Sequence, residues 1–148
     1  MTGGPAKPAT VRFYFDADVL GLAKKVAELR PDVTYPGDPG AIVHRRQRPP
    51  CPITSTATLD TVWIAEVARR GWLIVTRDSR IQHHRAELAA VREHDARMVA
   101  LAGDEAVGTW NQLEVLMCQW RAIEALLGEP APFVYRATRT TLRAVQIS

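Results

Sequence analysis

Three short apolar runs set the terms on which this chain can fold: "VRFYF" at Val11 to Phe15, "WLIV" at Trp72 to Val75, and "RMVALAG" from Arg97. Each is short and, apart from one arginine in the first and in the last, apolar or aromatic at consecutive positions, the pattern of a strand buried on both faces. Between them the period changes. Leu20 to Leu29 places Leu22, Val26 and Leu29 on one side of a helix that "RPD" stops. Val62, Ala65 and Ala68, with Ile64 and Val67, make a second helical stripe ended by Gly71. Ser79 fits an N-cap for a third helix running to about His94. Thr109 to Leu127 predicts a long fourth helix with Trp110, Leu113, Leu116, Met117, Trp120 and Leu127 on its inner side, and "FVYRATRTTLRAVQI" closes the chain with strand-type sequence. Strands alternating with helices of this length need crossover connections, so the expected architecture is α/β, three layers with a mostly parallel central sheet flanked by helices.

At 148 residues and 47% hydrophobic, the chain can bury one core, which predicts a single domain over 11–148 after a flexible tail at 1–10. Arg30 to Pro52 holds most of the prolines and the basic knot "HRRQRPP"; it is expected to be irregular, with one short strand at Ala41 to His44. No apolar stretch approaches the eighteen or so residues that span a bilayer, and "MTGGPAKPAT" lacks the apolar core of a signal peptide. Cys51 and Cys118 make neither a disulfide framework nor a ligand cluster, so a reducing, cytoplasmic setting is expected. A net charge of +3 and a pI near 9.2 suit a polyanionic partner, because positive potential speeds encounter with nucleic acid. An arginine-rich composition accounts for the same numbers: the lysines are Lys7, Lys24 and Lys25.

Sites in parallel α/β sheets form at the carboxyl ends of strands, and acids fall there. Asp16 closes the first run, Asp78 follows "WLIVT" by two residues, and Asp60 stands just ahead of the helix leading into that strand. Carboxylates gathered without basic partners repel, and a hard divalent cation, Mg²⁺ or Mn²⁺, is their usual relief. A metal so held generates hydroxide and stabilises displacement at phosphorus. Each acid also has a local reading. Asp16 suits a turn, Asp18 a cap for the first helix, Asp60 the positive end of a helix dipole and Asp78 an Asx turn. Only their joint placement raises the metal reading, with Asp18 supporting it. Arg77 and Arg80 flank Asp78 and suit a phosphate; a solvated face fits them equally. "HRRQR" at His44 to Arg48 is basic enough to touch a phosphate backbone. His83 and His84, adjacent on a helix, diverge by about 100° and do not chelate one ion together.

"FYFDADV" and "DTVWIAEVARRGWLIVTRDSRI" together resemble the PIN-like nucleases, in particular the VapC-type toxins of bacterial toxin–antitoxin pairs, over roughly Val11 to Leu127. The resemblance implies a three-layer PIN-like fold in which Asp16, Asp60 and Asp78 bind Mg²⁺ or Mn²⁺ that activates water to cleave RNA. It implies further that Thr76 orients a carboxylate or a water. A fourth acid after a later strand is common in such proteins; Asp104 and Glu105 in "LAGDEAVGT" are the nearest candidates. A small cognate antitoxin covering the acidic pocket and a homodimer are likewise implied.

"FYFDADVL" also fits the first motif of haloacid-dehalogenase-type phosphatases, with Asp16 as nucleophile, Asp18 as general acid, Thr76 in the second motif and "GDE" at Gly103 to Glu105 as the late acids. That chemistry needs a lysine ahead of the late acids, and no lysine follows Lys25. A catalytically inactive PIN-like module, kept as a binding surface, is the third reading; it predicts binding that is indifferent to metal.

Overall fold

The apolar runs become neighbouring strands in the computed structural model, which describes residues 6–78 and 85–147. Strands β1 (Lys7–Pro8), β2 (Phe13–Phe15), β3 (Val33–Thr34), β4 (Ala41–Val43), β5 (Arg46–Arg48), β6 (Leu73–Asp78), β7 (Arg97–Ala102), β8 (Phe133–Ala137) and β9 (Leu142–Val145) alternate with helices α1 (Leu20–Leu29), α2 (Asp60–Arg69), α3 (Arg85–Glu93) and α4 (Gly108–Ala125). Among the described residues the main sheet has the order β3-β2-β6-β7-β8-β9, parallel throughout except for the antiparallel β8–β9 edge.

Alternation along these strands splits the core into two apolar layers. Phe13, Phe15, Leu73, Val75, Val99 and Leu101 face one side with Leu22, Val26, Leu116 and Ile123 of α1 and α4. Tyr14, Ile74, Met98 and Val134 face the other with Trp63, Ile64, Val67 and Val91 of α2 and α3. The expected three-layer α/β architecture is therefore the one adopted, and α1 has the bounds its apolar spacing predicts.

Four expectations need correction. Val11 and Arg12 lie outside β2, which is confined to three residues. Arg30 to Pro52 is more regular than its prolines suggest: β4 and β5 pair as a hairpin with Val43 opposite Arg46, and β3 joins the main sheet. The two-residue turn puts His44 and Arg45 at φ 50° and 62°, so the left-handed conformation is reached without the glycine or asparagine that normally signals it. Lys7 and Pro8, in the segment read as a tail, pair in parallel with Arg46 and Gln47. Finally, four residues of the expected apolar stripes do not face the core: Trp110 and Met117 of α4, 78% and 63% exposed, and Leu29 of α1 and Val62 of α2, also exposed.

Within the basic knot, Arg48 turns inward rather than toward a ligand. Its Nε donates to Asp38 Oδ2 at 2.7 Å and its Nη1 to the Ala27 carbonyl at 3.1 Å, with both charged side chains buried. The pair thus pins the small hairpin sheet to the carboxyl end of α1, where a cation also complements the helix dipole.

A candidate acidic site at the carboxyl edge of the sheet

Because β2, β6 and β7 are parallel, their carboxyl ends share one edge. Asp16 follows β2 directly, Asp78 is the last residue of β6, and the turn after β7 carries Asp104 and Glu105. The chain leaves α2 for the amino end of β6, so the start of α2, Asp60, lies toward the carboxyl edge. By the same logic α3 and α4, which follow β6 and β7, begin there.

Asp16 and Asp18 exchange the roles the sequence suggests. Asp16 is the cap: its Oδ1 accepts from the Ala17 N–H at 2.6 Å, opening a 3₁₀ turn over Ala17–Val19 that leads into α1. Asp18 reaches across to β6, where its carboxylate accepts from Thr76 Oγ1 at 2.8 and 3.0 Å and from the Arg77 N–H at 3.2 Å. Thr76 Oγ1 also lies 3.5 Å from Asp16 Oδ2. The buried threonine hydroxyl has one proton to donate, and the distances commit it to Asp18, with Asp16 at the outer limit of its reach.

Electrostatics single this pair out. Burial pushes the Asp16 carboxyl up to about 7, helped by the negative charges of Asp18, Asp60 and Glu87 and opposed by the Ala17 hydrogen bond. Burial also raises Asp18, against the hydrogen bonds from Thr76 and Arg77. Asp32 and Asp38, which are also buried, each hold a guanidinium: Asp32 is bonded by Arg12 and Arg30, Asp38 by Arg48. Among the described residues, no arginine or lysine side chain hydrogen-bonds Asp16 or Asp18. Two carboxylates kept close, with no hydrogen-bonded cation among the described residues and only the nearby Arg77 charge easing Asp18, are a donor set suited to a hard cation.

Asp60 is the first residue of α2, exposed, and its Oδ1 accepts from Trp63 Nε1 at 2.9 Å. Trp63 is buried and packs on Tyr14 of β2 with ring centroids 5.1 Å apart. An indole thus ties the α2 acid to the strand that leads into Asp16, a tether absent from the sequence reading. For Asp78 the described part is its backbone, which pairs with Ala102. Among the described residues no three His, Cys, Asp or Glu side chains converge on one metal position.

The other candidates divide. Arg77 lies half-buried, with Nη2 donating to the Gly103 carbonyl at 3.0 Å and Nε buried without a hydrogen-bond partner among the described residues. Asp104 is bonded by Arg136 at 3.2 Å, and Glu105 by Arg139 at 2.9 Å, so both late acids already have a cation. Arg80, Ser79, His83 and His84 lie outside the described residues. Glu87, buried in the first turn of α3 and close enough to raise Asp16, was missed. Its signal was legible: Glu87 and Val91 are four apart, which sets the acid on the apolar side of the helix. A concavity of about 630 Å³ runs along α2 beside Val62, Glu66 and Arg69, but Glu66 is bonded by Arg69 and Arg70, so it lacks the unpaired carboxylates of the sheet edge.

A family model described as a PIN like domain matches residues 12–103, from β2 to the turn after β7. None of the curated proteins and none of the solved structures matches the chain.

Proposed function

Because the chain belongs to the PIN-like domain family, whose members are commonly nucleases, we propose that it is a metal-dependent endoribonuclease and the toxin half of a two-protein pair. One observation supports this most: Asp16 and Asp18 stand together at the carboxyl edge, Asp18 bonded by Thr76 and Asp16 3.5 Å from the same hydroxyl, with no cationic side chain hydrogen-bonded to either among the described residues. Such a pair either keeps a proton, as the raised Asp16 does, or takes a cation.

Asp16, Asp18, Asp60 and Asp78 would hold Mg²⁺ or Mn²⁺. When bound, the metal supplies positive charge for the phosphodiester oxygens and lowers the pKa of a water. The chain's own residues do the rest. Thr76 donates to Asp18 and fixes the orientation of its carboxylate, as a partner of a metal ligand does. Trp63 holds Asp60 toward β2. The Ala17 N–H, donating to Asp16 Oδ1, leaves Oδ2 with only the long contact to Thr76 Oγ1, and so as the more open face of that carboxylate. Arg77 and Arg80 would meet the negative charge of the RNA backbone, and the net charge of +3 draws that polyanion in. An antitoxin that covers the acidic edge would offer it a cation in place of the metal.

The test is cleavage of a mixed, end-labelled RNA pool with Mn²⁺, with EDTA, and by Asp16→Ala, Asp60→Ala and Asp78→Ala, with p-nitrophenyl phosphate run beside it. We expect metal-dependent cleavage that each substitution abolishes while circular dichroism is unchanged. Intact RNA with phosphatase turnover would give the site to the haloacid-dehalogenase-type chemistry; metal-indifferent RNA binding without turnover would make the chain a binding module. The toxin reading adds that expression halts growth and that Asp78→Ala does not.

A further inference from the structure

Three of the four tryptophans have a use within the fold. Trp63 packs on Tyr14, Trp120 packs on Phe13, and the Arg70 guanidinium lies over Trp72. Trp110 is 78% exposed and makes no ring contact, cation–π contact or hydrogen bond among the described residues. Its place in the molecule is specific. Helix α4 starts at the carboxyl edge of the sheet, and its first turn abuts that of α1: a Cβ at Gly21 would fall 2.6 Å from Thr109 Oγ1. Gly21 stands three residues after Asp18, so Trp110, next to Thr109, lies on the rim of the acidic pair. Helical side chains tilt toward the amino end of their helix, which for α4 is that edge. Arg77 reaches the same rim from the sheet. Leu73 and Val75 of β6 face the layer of α1 and α4, and Arg77, two residues on, shares their face. Its guanidinium is held by the Gly103 carbonyl, in the turn that leads to α4, and is near enough to ease the Asp18 charge.

We infer that Trp110 is the stacking platform for one unpaired RNA base beside the phosphate that the acidic edge engages, with Arg77 on the phosphate between them. This takes from the proposed function that RNA lies along the edge, and adds which RNA it is: a single-stranded or looped segment, because a base reaches the indole only when it is out of a duplex. An exposed indole suits many partners, and its neighbours decide between them. An open aromatic face, then a guanidinium, then carboxylates suited to a metal follow the order of a nucleotide strand, base and then phosphate. Val107, three residues before Trp110 and 57% exposed, widens the apolar ledge on which the base would rest. Every base has a face to stack, and the larger purine rings cover more of the indole. The expected signature is therefore a purine preference at one position beside the cut rather than a long recognition sequence.

The full chain is titrated in EDTA with an end-labelled, unstructured RNA oligonucleotide, following the anisotropy of the label and the indole fluorescence together; the same strand annealed to its complement runs beside it. We expect the single strand to quench the indole signal and to bind more tightly than the duplex. Trp110→Ala should weaken single-strand binding about tenfold or more without changing its salt dependence, because a stack neutralises no phosphate, and Trp110→Phe should keep most of the affinity. Arg77→Met should instead lower the salt slope by about one. With Mn²⁺ present, Trp110→Ala should reduce kcat/KM by a similar factor and relax the purine preference, with Mn²⁺ affinity as in the wild type. Single-strand binding that is absent or indifferent to Trp110→Ala, or a duplex bound equally well, overturns the subsite even where the acids prove catalytic. Binding through Trp110 with no cleavage by the wild type keeps the subsite and contradicts the nuclease reading, so the two failures are told apart. Quenching by another protein and not by RNA would give Trp110 to that partner, and overturns the inference equally.

Discussion

Asp16 sits where a carboxylate is least comfortable, buried beside a second acid and raised to about 7. Its unfolded counterpart ionises near 3.8, so between those values the folded chain binds a proton that the unfolded chain does not. Stability of the metal-free protein therefore falls as pH rises through about 4 to 7. Thermal melts in EDTA should show this slope, flattened in Asp16→Asn; Mn²⁺ should raise the melting temperature more at pH 7.5 than at pH 5. Thr76 extends the argument, since its hydroxyl is the only side chain among the described residues bonded to Asp18. Thr76→Val should weaken Mn²⁺ binding by about 10- to 100-fold, with Thr76→Ser near wild type in the same calorimetric titration. "FDADV" and "TRD" made these residues legible as a group, but not their division of labour. Which of Asp16 and Asp18 caps and which crosses to β6 depends on a 3₁₀ turn over Ala17–Val19, three residues that carry no distinctive local signal.

Among the elements, strands apolar on both faces and helices with a clear stripe were readable, because burial dictates composition there. The 30–52 segment was not. Its strands are two or three residues long, below the length at which period shows, and its left-handed turn uses His44 and Arg45. Consequently Arg48 reads as a surface cation although it is buried against Asp38. Asp38→Ala leaves that guanidinium uncompensated over the end of α1, and urea unfolding should show a loss of about 3–5 kcal/mol. Replacement of both residues by apolar ones of similar volume should cost far less. Trp110 and Met117 were misplaced for a different reason: a helix with apolar residues all round gives no inward face from sequence alone, and α4 is covered by α1 and the sheet on one side only.

For the whole molecule, the parallel order of β2, β6 and β7 is what turns three acids scattered over sixty residues of sequence into one edge. No described helix is long and apolar enough to cross a membrane. In the proposed function the edge acids hold the metal that makes the chain a nuclease. Its most direct test is to titrate Mn²⁺ into the metal-free protein and into Asp16→Ala, reading ion binding and RNA cleavage in the same samples. Cleavage should rise along the binding curve of the wild type, and both should be lost in the variant. Cleavage that persists in EDTA, or in an Asp16→Ala protein that no longer binds Mn²⁺, would contradict it.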